Sequence, residues 1–201
     1  MTIADISQAE QTSAARLGAV LFRNRSWIPV PFVVVPLLVP GEQALWSWIV
    51  GLLLVAIGEG VRVAGVAAAG TVTRRRSRNV QRLVTYGIFA WVRNPLYVGN
   101  FLAWMGFTVV SGVFWFLPLA ALLFAIEYTL IVRYEEGVLE SIFGREYLTY
   151  KDRTPRWFPR LPATPATGEH DWKEAWWSER STLAQYVVLI VVFLVKDRLV
   201  G

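Results

Sequence analysis

The sequence predicts an all-α membrane protein with about five transmembrane helices, and three observations carry that expectation. Of 201 residues, 55% are hydrophobic and only 17% are charged, with a mean hydropathy of +0.42. That balance belongs to integral membrane proteins. Five apolar stretches alternate with polar ones, and backbone groups in lipid must be satisfied within a helix. Tryptophans such as Trp46 and Trp48 stand at the start of an apolar stretch, where interfacial aromatics belong.

Residues 1–26 read as an N-terminal leader, with a helix expected over Ser13 to Phe22 and no removable signal peptide. The first two membrane spans occupy residues 27–70. Trp27 to Pro40 is apolar but carries four prolines, so it reads as a kinked span or one that borrows its flanks. Ala44 to Ala69 is the second. Glu59 and Arg62 interrupt it three residues apart, on one helical face, as an internal ion pair or as a pair that snorkels to the interface.

Residues 71–165 form the core, beginning with a basic segment that contains Arg74, Arg75, Arg76, Arg78 and Arg82. The net charge of +5 is concentrated there, between apolar stretches. Positive-inside topology accounts for this and puts the segment on the cytoplasmic side, so no nucleic-acid partner is expected. From Pro95 to Val132 a single formal charge, Glu127, interrupts a stretch long enough for a helical hairpin turning at Ser111-Gly112. Small residues, among them Gly99, Ala103 and Gly106, suit close helix approach. Arg133 to Arg160 is abruptly polar, and its apolar residues at three- and four-residue steps predict an amphipathic cytoplasmic helix bent near Gly144.

Residues 166–201 hold a linker and a last apolar helix. Only about fourteen residues, Thr182 to Val195, are strongly apolar, which suits a short span with borrowed flanks or an interfacial helix. No cysteine is present, which excludes disulfides, thiolate metal sites and a cysteine nucleophile. His170 is the single histidine, so neither a histidine metal cluster nor a catalytic triad is available, and no metal is expected. Chemistry falls to carboxylates, arginines, amides and tyrosines.

The stretch with most chemical content is Gln81 to Asn100, QRLVTYGIFAWVRNPLYVGN. Pro95 disfavours helical geometry at Asn94 and suits a first helical turn, so Arg93 and Asn94 fall in a bend with unpaired backbone groups. With hairpin topology, this bend and Arg133-Tyr134-Glu135-Glu136 meet at one membrane face. Together they offer an aromatic pocket, arginines, an amide and carboxylates, which suit a cofactor with a purine and a charged amino-acid tail.

LVTYGIFAWVRNPLYVGN resembles the "LVxxGxYxxxRHPxYxG" segment of the isoprenylcysteine carboxyl methyltransferase and phospholipid methyltransferase group, and EEGVLESIFGREYLTYKDRTPRWFP resembles its "EExxLxxxFGxxYxxYxxxxPRxxP" segment. The resemblance covers roughly residues 50–160. It implies a helical protein with a cytoplasmic, C-terminal pocket for S-adenosylmethionine and no Rossmann domain; the sequence likewise holds no glycine-rich dinucleotide fingerprint. It further implies that Gln81, Arg82, Leu83 and Val84 line the adenosine, that Phe89 supplies an aromatic wall, and that Asn94, Pro95, Leu96 and Tyr97 wrap the amino-acid end. Gly87 and Arg93 belong to the same cofactor set. Glu136 is expected to meet the cofactor's ammonium or ribose, and Arg133 and Glu135 to act as the catalytic pair on the acceptor side.

Two positions depart from the family pattern: Asn94 stands where many members have histidine, and Phe89 where tyrosine is usual. An amide cannot take a proton near neutral pH, so residue 94 is no base. The expected acceptor is a lipid or lipophilic molecule bearing a carboxylate or an amine. A sterol-reductase-type enzyme using NADPH and a non-catalytic membrane scaffold are the alternatives.

Overall fold

Apolar periodicity and helix-stop residues produce a bundle in which all described regular structure is helical. The structure is a computed structural model that describes residues 13–25, 27, 29–70, 82–162 and 167–200. The arginines at 74, 75, 76 and 78 therefore lie outside the described residues, as does Gln81. Among the described residues the helices are, in order, α1 Ser13–Arg23, α2 Pro29–Leu38, α3 Leu45–Ala69, α4 Pro95–Val110, α5 Phe116–Phe143, α6 Arg145–Arg153 and α7 Trp172–Val200, with a 3-10 turn at Gly87–Ala90 before α4.

Among the described residues, three helices are long and apolar enough to cross a membrane: Leu45–Ala69, Phe116–Phe143 and Trp172–Lys196. In the last, the helix begins ten residues before the apolar run, so that Trp172 to Ser181 lengthen it as flank. The remaining two expected spans are shorter. α4 has 16 residues, and α2 has 10. At ~1.5 Å per residue, α2 covers only about half of a ~30 Å hydrocarbon layer. Its Phe32 is buried against Trp104 and Phe124, so α2 contributes to the core even at that length.

α3 and α4 form the tightest pair, running antiparallel with glycines opposite glycines. A Cβ placed on Gly51 would stand 2.6 Å from the Gly106 carbonyl oxygen, and one on Gly58 would stand 2.6 Å from that of Gly99. Both helices space these glycines by seven residues, so the close contact repeats along one face. Ser47 starts α3 by accepting from the Ala44 amide at 3.0 Å and donating back to the Ala44 carbonyl at 2.8 Å. Apolar side chains that find no protein partner, such as Ile49 and Leu53 on α3 and Val187, Val188 and Val191 on α7, remain exposed. These are the faces available to lipid.

α5 runs unbroken through Arg133 and ends at Gly144, whose φ of +51° opens the bend into α6. Glu59 and Arg62 form an internal pair with Arg62 Nε 3.2 Å from Glu59 Oε2. Lys196 near the end of α7 donates to the Pro36 and Val39 carbonyls at 2.5 and 2.6 Å, satisfying the C-terminus of α2.

Overpacking the α3–α4 seam should be costly. Gly58→Leu is expected to lower the thermal midpoint in detergent, by strain on the order of 1–3 kcal/mol or more. Gly60→Ala, two residues away with nothing within 4 Å of its added Cβ, should leave the midpoint equal or raise it.

Candidate functional site

Residues that sit twenty and more positions apart in the sequence are stitched together at the end of the bundle where α3 finishes, α4 begins and α5 passes into α6. The organising group is Glu136, buried on α5. Arg156 grips it with two bonds, Nε to Oε1 at 3.0 Å and Nη2 to Oε2 at 2.5 Å, while Arg93 Nη2 approaches Oε1 at 3.1 Å. A carboxylate shared by two guanidinium groups in this fork geometry is strongly held.

Backbone bonds draw the same two segments together. The Arg93 amide donates to the Pro155 carbonyl at 2.9 Å, and the Arg160 amide to the Trp91 carbonyl at 3.0 Å. Arg93 Nη1 donates to the Lys151 carbonyl at 2.7 Å. The Tyr150 hydroxyl donates to the Phe89 carbonyl at 2.8 Å. Burial holds the Tyr147 and Tyr150 hydroxyls well above the ordinary tyrosine range, so Tyr150 stays neutral and remains a donor at physiological pH.

The bend at Asn94 follows from Pro95, which occupies the first position of α4. Asn94 has φ −123° and ψ +56° and makes no side-chain cap. Its Nδ2 donates instead to the Arg156 carbonyl at 3.2 Å. Arg93 Nε is buried and has no hydrogen-bond partner among the described residues. That unused donor at the bend has the chemistry of a site for an anionic group.

On the neighbouring face of α5, Glu135 lies beside Tyr97 and its Oε1 stands 3.9 Å from Arg25 Nη1. Tyr97 in turn packs on Tyr128, their ring centres 4.8 Å apart. Arg133 is exposed. Leu83 and Val84 are half-buried in the extended stretch before the 3-10 turn that holds Phe89, and Leu96 is half-buried against α3. Arg82 is exposed and reaches the Tyr86 hydroxyl at 3.0 Å. Gly87 adopts φ +60° beneath His170, whose Nε2 would lie 2.5 Å from an added Cβ. Of the residues expected from the sequence, these bonds bring together Phe89, Arg93, Asn94 and Glu136, while Gln81 lies outside the described residues. Glu136, expected to meet a cofactor's ammonium or ribose, has both oxygens engaged by the two arginines.

Sequence reasoning missed Arg156, Tyr150, Arg25 and His170. Arg156 and Tyr150 stood inside the second motif but carried no sign of which carboxylate or carbonyl they would meet. Arg25 and His170 lie outside both motifs. Among the described residues, no group of three or more His, Asp or Glu side chains gathers in an arrangement that could hold a metal ion.

The architecture defines a helical membrane protein with a polar site at one end of its apolar helices. The model of the family described as phospholipid methyltransferase matches residues 46–146, and the chain belongs to that family. Human protein-S-isoprenylcysteine O-methyltransferase is 33% identical over 126 residues, covering 59% of this chain and 43% of the human protein. The chain therefore aligns with less than half the length of that relative. The cobalt-zinc-cadmium resistance protein CzcN of Cupriavidus metallidurans is 33% identical over 176 residues, 86% of this chain and 80% of that protein. The nickel-cobalt-cadmium resistance protein NccN of Alcaligenes xylosoxydans is 34% identical over 149 residues, 72% and 69% of the two chains. No solved structure matches.

The ion trio makes a stability prediction. Glu136→Ala leaves two guanidinium groups facing each other without their carboxylate and should cost about 3–5 kcal/mol, read as a large fall in thermal midpoint. Tyr150→Phe removes one hydroxyl bond to Phe89 and should cost only about 1 kcal/mol.

Proposed function

We propose that this protein transfers a methyl group from S-adenosylmethionine to a lipophilic or lipid-linked acceptor at the membrane face. The observation that carries this reading is the clasp of Arg93, Glu136 and Arg156, which joins the bend at Asn94 to the Glu135-Glu136 pair on α5 within a chain of the phospholipid methyltransferase family. The buried Arg93 Nε, with no partner of its own among the described residues, supports a carboxylate-bearing amino-acid tail as ligand at the bend.

In this reading Leu83, Val84, Gly87 and Phe89 line the nucleoside, joined by Gln81 and Arg82. Arg93, Asn94, Pro95, Leu96 and Tyr97 enclose the amino-acid end. Glu136 shapes the pocket by holding both arginines in place, a role its engaged oxygens favour over direct contact with the ligand. The cofactor supplies an activated sulfonium methyl. What the chain must add is position: an acceptor atom held about 3–3.5 Å from that methyl, with water kept out.

Glu135, beside Tyr97, takes the proton from an amine acceptor, whereas a carboxylate acceptor needs no base. Arg133 is the expected partner for an anionic group on the acceptor, which an exposed guanidinium at the membrane face can meet without rearrangement. Isoprenylcysteine, named for the human relative, and a phospholipid headgroup both fit an acceptor that arrives from the bilayer with its polar end at this face. The arginines that precede Leu83 in the sequence support a cytoplasmic position for that face.

Purified protein in lipid vesicles, supplied with methyl-labelled S-adenosylmethionine, should place label in the organic extract. Asn94→Ala and Glu135→Ala should still insert in the membrane but bind S-adenosylmethionine more weakly and transfer less label. Unchanged affinity in both variants would overturn the site assignment, and label-free extracts across lipid and prenylcysteine acceptors would overturn the reaction.

A further inference from the structure

Arg62 lies on α3 below the site and is held by three other helix positions. Its Nε bonds Glu59 Oε2 at 3.2 Å, its Nη2 bonds Glu179 Oε2 at 2.8 Å, and its Nη1 bonds the Asn100 side-chain carbonyl. Three helices, α3, α4 and α7, thus meet in one buried polar knot, with Tyr128 of α5 and Tyr186 of α7 beside it. Glu179 is 0% exposed and is the charged group that α7 brings to it.

The knot lies just below a second, separate contact made by the same helix. The Asp171 amide donates to the Ala67 carbonyl at 2.9 Å, and Asp171 caps α7 by accepting from the Glu174 amide at 2.8 Å. Immediately before it, His170 stacks on Trp172 and sets its ring edge-on to Tyr86, with centroids 5.5 Å apart. Gly168 lies against the Tyr86 ring so closely that a Cβ there would clash, and His170 covers Gly87. The Tyr86 hydroxyl sits within hydrogen-bond distance of the Ala68 and Glu169 carbonyls, at 2.8 and 3.0 Å. Residues 168–171 therefore rest directly on Tyr86-Gly87, the end of the stretch read above as the nucleoside wall.

We propose that the Arg62–Glu179 contact is a positioning device for the cofactor site: it fixes the register of α7, so that residues 168–171 press on Tyr86-Gly87 and hold that wall in place. This rests on the cofactor reading above. The physical reason lies in the solvent. Between apolar helices in lipid there is no hydrophobic penalty for sliding or rotating, because lipid tails satisfy a valine as well as another helix does. A buried ion pair has one satisfied arrangement, and departures from it leave charge unpaired in a low dielectric. Much of α7 beyond Tyr186 faces outward, so its apolar residues alone set register weakly.

The test uses the full chain in detergent, with S-adenosylhomocysteine binding read by calorimetry and backbone hydrogen exchange read over residues 167–175. Glu179→Leu should speed exchange at the Asp171 and Ala175 amides and weaken S-adenosylhomocysteine binding, each by about tenfold or more, while exchange at Gly144 and Leu148 stays unchanged. Glu179→Gln keeps an acceptor for Arg62 and should recover most of both effects, a rescue that general destabilisation would not give. Should the leucine variant fail to fold, His170→Ala carries the test, since it uncovers Gly87 without touching the knot and should weaken binding alone. Unchanged exchange in Glu179→Leu, or faster exchange with full affinity, overturns the proposal. Failure of the wild-type protein to bind overturns the cofactor reading instead, and is recognised because no variant is involved.

Discussion

A single buried carboxylate, Glu136, sets the geometry of the polar end of this molecule. Its desolvation is tolerable only because two guanidinium groups meet it, Arg156 through a two-bond fork and Arg93 from the bend before α4. Once Arg93 is committed to Glu136 and to the Lys151 carbonyl, the Asn94-Pro95 bend has a fixed position relative to α5 and α6. The segment 154–160, which has no helix of its own to brace it, is anchored through the Pro155 carbonyl, the Arg156 side chain and the Arg160 amide. Removing the carboxylate would release all three.

The membrane part of the bundle obeys a different constraint. Its helices have little to gain from apolar burial against one another when lipid is the alternative, so they hold register through contacts that lipid cannot imitate. At the α3–α4 seam these are backbone-to-backbone approaches at Gly51–Gly106 and Gly58–Gly99. For α7 it is the Arg62–Glu179 bond, with Lys196 serving α2 at the opposite end. The polar site thus stands on a scaffold whose register is set by a few directional contacts, and its precision is inherited from them.

Much of the fold was legible because its signals are local. Apolar length announced α3 and α5, Pro95 announced the start of α4, and Gly144 announced the break before α6. α7 was underread because its first turns, Trp172 to Arg180, carry four charged residues and three tryptophans, which hides a continuous helix from a hydropathy reading. In the proline-rich stretch read as a kinked or flank-borrowing span, the regular helix is α2, ten residues with Pro36 inside it. Within the site, the bend was legible from Asn94-Pro95, whereas Arg133 to Glu136, expected at a turn, continue the α5 helix. The partners of Glu136 were not, because Arg93 and Arg156 find it only after the hairpin returns the chain to the same face. The choice between an ion pair and a snorkelling pair at Glu59 and Arg62 likewise depended on Glu179, more than a hundred residues downstream.

The account's central claim is that the Glu136 clasp builds a pocket for S-adenosylmethionine. Calorimetric titration of S-adenosylhomocysteine into the detergent-purified wild type and the Glu136→Ala variant, with NADPH as control ligand, addresses it most directly. The account predicts dissociation in the micromolar range for the wild type, loss of binding in the variant and no response to NADPH. Binding of NADPH instead, or a folded wild type that takes up neither ligand, would contradict it.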